Sequence, residues 1–143
     1  MRRILLLGLV AFALVACAKP KPPAGRWEGA YESGGTLIAA RLEIAPDGGV
    51  RVSAPDLTDV ADEDRDGART RLAGDLAAGW DQVAPRTFDF DGETFRKPGG
   101  IAPQMIWKEK TRRMSLVVYL GTRPGLRIPL RAVDGFSDDP FMR

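Results

Sequence analysis

From Arg26 onward, apolar and polar residues alternate with a period of two, the mark of strands that bury one face. Residues 26–33 alternate Trp27, Gly29 and Tyr31, and Ser33-Gly34-Gly35 ends the run in a turn. Residues 36–45 place Ile38, Ala40, Leu42 and Ile44 on one face, with Arg41 and Glu43 on the other. Pro46-Asp47-Gly48-Gly49 is a turn signal, after which residues 50–54 pair back. Residues 87–91 and 93–97 predict a hairpin about Asp91-Gly92, with Phe88 near Phe95 across the ladder. Residues 104–109 and 114–121 flank a basic turn, Lys110-Thr111-Arg112-Arg113. The last strand, 126–133, turns Leu126, Ile128, Leu130 and Ala132 one way and Arg127, Pro129 and Arg131 the other; its proline marks an edge or a bulge.

The period changes once. Between Asp59 and Val83, Ala68, Leu72, Leu76 and Trp80 recur every four residues, which predicts an amphipathic helix. Thr58 is its expected N-cap, and acids crowd its first turns, where the helix dipole favours them. Gly67 weakens the early part, so a start only after Gly67 is the alternative. The predicted fold is mainly β: an antiparallel, eight-stranded, barrel-like or strongly curved sheet. The single helix falls between the third and fourth strands and packs across a face or the mouth.

Before this domain the pattern is of another kind. Arg2 and Arg3 precede Ile4–Ala16, a run of thirteen residues without charge. Such a run is shorter than the about 20 residues that span a bilayer, and it fits the apolar region of a signal peptide. It ends in Leu14-Val15-Ala16-Cys17. This resembles the lipobox of bacterial lipoproteins, in which small residues precede an acceptor cysteine. The resemblance implies removal of residues 1–16, diacylation of the Cys17 thiol and acylation of the new amine. Several acyl chains on one residue anchor firmly where one does not. The same residues also fit ordinary secretion, with cleavage after Ala18 that leaves Lys19 first, and an uncleaved anchor. Ala18, where an Asp would signal inner-membrane retention, implies the periplasmic side of the outer membrane. Residues 17–25 then read as the lipidated cysteine and a proline-rich tether, extended over roughly 25 Å at about 3.1 Å per residue. Residues 26–143 form the single domain that a chain of 143 residues allows.

Charge changes meaning once that division is made. The chain carries 21 Lys and Arg against 19 Asp and Glu. Both surplus cations, Arg2 and Arg3, leave with residues 1–16, so the mature chain is neutral. A nucleic-acid footprint needs a basic surplus on the domain itself, and no nucleic-acid partner is expected.

Candidate chemistry is sparse. With no His and one Cys, there is no Ser-His or Cys-His pair, no zinc set of the common kind and no intramolecular disulfide. Asp62-Glu63-Asp64-Arg65-Asp66-Gly67 begins like a calcium loop, but position 12 is Ala73, where the bidentate Glu belongs. A solvated helix start, with Asp66 paired to Arg69 and Arg71 to Asp75, accounts for the same residues. No catalytic residue, cofactor or metal is assigned, and the protein is not expected to be an enzyme; the one residue given a chemical role is Cys17.

Gly25-Arg26-Trp27 resembles the G-x-W start of the first strand in lipocalins and related calycin barrels. There the Trp packs at the closed end of the barrel against an Arg of the last strand, a part that Arg131 or Arg127 would take. Those barrels carry their main helix after the last strand, so the helix here departs from the pattern. Taken together, an envelope lipoprotein is expected, non-enzymatic, whose domain binds a small apolar ligand or an envelope protein. The alternatives are an assembly accessory acting through its surface without a cavity and, third, a carboxylate-based hydrolase.

Overall fold

The computed structural model describes residues 18–142. Its strands are β1 (Gly25–Ser33), β2 (Thr36–Ile44), β3 (Val50–Ser53), β4 (Asp56–Leu57), β5 (Asp89–Phe90), β6 (Thr94–Arg96), β7 (Pro103–Lys108), β8 (Arg113–Leu120) and β9 (Arg123–Val133). One helix, α1 (Arg65–Gly79), lies between β4 and β5. Eight strands pair antiparallel in the order β3-β2-β1-β9-β8-β7-β6-β5, and the short β4 pairs with β2 beside β3. The sheet curls strongly into a half-barrel. An isolated bridge between Val50 and Arg86 draws its two margins together, each amide donating to the other's carbonyl at 2.8 Å.

Period-two alternation decides which side chains enter the concave face. Ile38, Ala40, Leu42 and Ile44 of β2 join Trp27, Val50, Phe95, Met105, Trp107, Met114, Leu116, Ile128 and Leu130 in one buried cluster. Trp27 meets Trp107 edge-to-face at 5.9 Å between centroids, a favoured aromatic geometry. Across the β5–β6 pair the aromatic partner of Phe95 is Phe90, at 4.4 Å, rather than Phe88. The loop spans four residues, 91–94, rather than two, which shifts the register by two residues. Close approach of β9 to β1 depends on Gly29, where an added Cβ would lie 2.3 Å from the Pro129 carbonyl oxygen.

The opposite, convex face of β2 carries Leu37 and Ala39, which pack under Ala68, Leu72 and Leu76 of α1. The helix therefore covers an outer face, not the mouth. Its bounds differ from the sequence expectation at both ends: a 3-10 turn over Asp62–Asp64 precedes it, another over Trp80–Gln82 follows it, and Gly67 lies inside it. Thr58 caps nothing, because Asp59 (φ 56°) turns the chain and the Val60 amide donates to Gly35 O. Arg69 and Arg65 tie the helix to Glu32 of β1 at 2.5 and 2.9 Å.

The antiparallel order places turns at two distinct ends. One end gathers the start of β1, the β2–β3, β5–β6 and β7–β8 turns and the finish of β9. Trp27, Trp107, Met114 and Leu130 fill this end, which is closed. The other end gathers the β1–β2, β6–β7 and β8–β9 turns, and there Tyr31, Val52, Ala54, Val118 and Leu126 are only partly buried. The tether does not stand free as a spacer. Pro22 and Pro23 are half-buried, and Cβ atoms added at Gly92 and Gly48 would meet Pro20 and Pro22 at 3.7 and 3.9 Å. The proline segment lies along the closed end because the β2–β3 and β5–β6 turns offer it bare glycine backbone.

Candidate functional site

The half-curled sheet leaves a cleft at its open end. Val52 and Ala54 on the β3 side face Gln104 of β7 and Leu116 and Val118 of β8, with Lys97 at the rim. The cleft encloses about 660 Å³ and opens broadly to solvent. Its walls are mainly apolar, as binding clefts are, with a few polar groups at the margin. The Tyr119 hydroxyl donates to Pro103 O at 2.6 Å, which fixes the β7 margin against β8. Next in sequence to Ala102 of the rim, Ile101 of the β6–β7 loop is 90% exposed.

A second constellation lies on the convex face. Glu28 of β1 is fully buried there, opposite Arg131 of β9 in the strand register. Arg131 Nη2 donates to Glu28 Oε1 at 2.9 Å, and Ser137 supplies its hydroxyl to Oε1 at 2.6 Å and its amide to Oε2 at 3.0 Å. Burial alone would push the Glu28 carboxyl up; the donors from Ser137 and Arg131 outweigh it and hold the carboxyl below its ordinary range. The cluster has a mechanical consequence. It fastens residues 134–142 across β9, β1 and β2, where Arg41 donates to Ser137 O at 3.0 Å and Arg131 also donates to Met142 O. Phe136 lands between Arg41, at 4.8 Å, and Trp80, also at 4.8 Å, and Phe141 packs against the α1 layer.

Cys17 and residues 1–16, the expected signal segment, lie outside the described residues. Arg131 faces away from Trp27: in the register Trp27 opposes Ala132, one residue on, so alternation sends the guanidinium to the other side of the sheet. Arg127 is exposed on that same side. The calcium-like run does not converge. Asp62 is taken by Arg65 at 2.5 Å and Asp66 by Arg69 at 3.5 Å, and Ala73 stands on the helix. Arg71 and Asp75 form no such pair among the described residues. Nor do three or more ligating side chains of any kind gather among them.

The Glu28 cluster escaped the sequence because a lone acid on a polar strand face gives no sign that a segment 109 residues later will bury it. The cleft residues were legible only as core candidates, since alternation predicts the facing side and not where packing runs out. No family model, no curated protein and no solved structure matches this chain.

Proposed function

We propose that the protein is an envelope lipoprotein, anchored through acylated Cys17, whose β domain binds an apolar group in the cleft at its open end and performs no chemistry. The observation that carries this reading is the half-filled interior. Thirteen buried side chains pack the concave face, with both indoles toward the closed end, while the open end keeps an apolar cleft of about 660 Å³. The cleft is too open to enclose a whole lipid, and it suits one acyl tail or an apolar side chain presented by an envelope protein. Exposed Ile101, next in sequence to the rim, favours the second of these, because it offers apolar surface that a small molecule in the cleft does not cover. The outer membrane, on its periplasmic side, is the proposed location.

Mass spectrometry of the full-length protein taken from its own envelope tests both parts. Under denaturing conditions the chain is expected to begin at Cys17 and to carry the mass of its acyl groups, and Cys17→Ser is expected to lose them. A Cys17→Ser chain that still bears acyl mass would defeat the anchor. Under native conditions a bound apolar molecule or partner chain is expected on the wild type and absent from Val118→Glu, which puts a charge on the cleft wall. Equal occupancy in the two would place the binding elsewhere.

A further inference from the structure

We propose that the closed end of the half-barrel rests on an anionic lipid surface, through the β7–β8 turn and the two lysines of the tether. This rests on the reading of Cys17 as the anchor. Three observations meet there. Lys108, Lys110, Arg112 and Arg113 are all exposed at the closed end, and none forms an ion pair among the described residues. The tether reaches the domain at this same end, bringing exposed Lys19 and Lys21 with it. Finally, the tether is seated from Pro20 onward, so the free span from Cys17 is three residues, or roughly 9 Å at about 3.1 Å per residue. That is close to the Debye length of about 8 Å at physiological ionic strength. The closed end, to which the β7–β8 turn belongs, is therefore kept close to the headgroup layer.

Neighbouring acids do not cancel these cations. The Asp91 carboxylate is paired with Arg96. Asp47, Glu93, Glu109 and Asp134 remain at this end as four acids against six cations. The mature chain as a whole is neutral, so the imbalance is local and oriented. Docked in this way, the domain presents its cleft away from the bilayer, toward the aqueous compartment.

The test uses the full-length acylated protein in vesicles of phosphatidylethanolamine with a minor fraction of phosphatidylglycerol. Thr111→Cys, in the β7–β8 turn, or Thr122→Cys, at the open end, carries a thiol-reactive fluorophore, and a headgroup spin-labelled lipid is the quencher. Because acylation consumes the Cys17 thiol, one dye per chain is expected; two would show that the anchor reading has failed, separately from the docking. With one dye, strong quenching is expected at Thr111 and little at Thr122. Lys110→Gln and Arg113→Gln, each checked for folding by circular dichroism, are expected to weaken docking roughly fivefold apiece. Replacing phosphatidylglycerol by phosphatidylcholine, or raising salt to where the Debye length is about 3 Å, is expected to do the same. Equal quenching at the two positions, or quenching at Thr111 indifferent to lipid charge, would overturn the proposal.

Discussion

Replacing Trp27 by Ala is expected to lower the stability of the domain by about 3–5 kcal/mol, the range for removing a large aromatic from a packed core. The indole is 1% exposed and stands edge-on to Trp107, in the cluster that joins both arms of the curled sheet. Its Nε1 finds no hydrogen-bond partner. The loss is thus one of packing, uncomplicated by a donated bond. Nothing nearby can collapse into the gap without pulling β1 away from β9, since Gly29 already sits against Pro129. Domains of this size have only about 5–15 kcal/mol in total, so urea unfolding followed by Trp107 and Trp80 fluorescence should show a midpoint far below the wild type. A loss under about 1 kcal/mol would mean that the two arms hold together without this contact.

Glu28→Ala is expected to cost about 2–3 kcal/mol and to release residues 134–142. Removing the carboxylate strands the Ser137 amide and hydroxyl and one arm of Arg131, and hydrogen bonds to charged groups are worth about 1.5–3 kcal/mol each. The figure stays at the low end because Arg131 is 40% exposed, so water takes over part of what it loses. The effect depends on pH with a definite sign. The folded-state value of Glu28 lies below the ordinary 4.5, so its contribution is complete above 4.5 and is lost as pH falls through the lowered folded value. The stability gap between wild type and Glu28→Ala should therefore close in acid. Hydrogen exchange at Phe141 and Ser137 gives the structural readout; unchanged protection in the variant would show that the segment is held by Phe136 and Phe141 instead.

Alternation along the chain was enough to define the sheet. The face of Ile38, Ala40, Leu42 and Ile44 emerged as read, as did Leu126, Ile128 and Leu130 of the last strand, whereas Ala132 at its end is exposed; the four-residue spacing of Ala68, Leu72 and Leu76 marked the helix side that packs, with Trp80 falling in the turn beyond it. These patterns are local, and local periodicity is what a sequence records most directly. The failures were of other kinds. β4 is two residues long and carries no period. The Phe90–Phe95 pairing was missed because a hairpin's register is set by the turn, where Asp91 accepts from the Glu93 and Thr94 amides. Residues 134–142 have no periodicity at all, and their hold on Glu28 and Arg41 spans about a hundred residues, beyond any window of pattern. Of the site, the cleft required knowing how far the sheet curls, which no local pattern records.

The pairing of β1 with β9 has a consequence for how the chain acquires its shape. β1 and β2 are consecutive in the chain, yet β1 lies inside the finished sheet, and its second neighbour is the last strand of the domain. Until β9 arrives, β1 keeps an open ladder edge and Glu28 has neither Arg131 nor Ser137. Contacts so distant in sequence slow folding, because a large loop must close before they repay it. The first half of the chain therefore lacks one ladder partner until the last strand is in place.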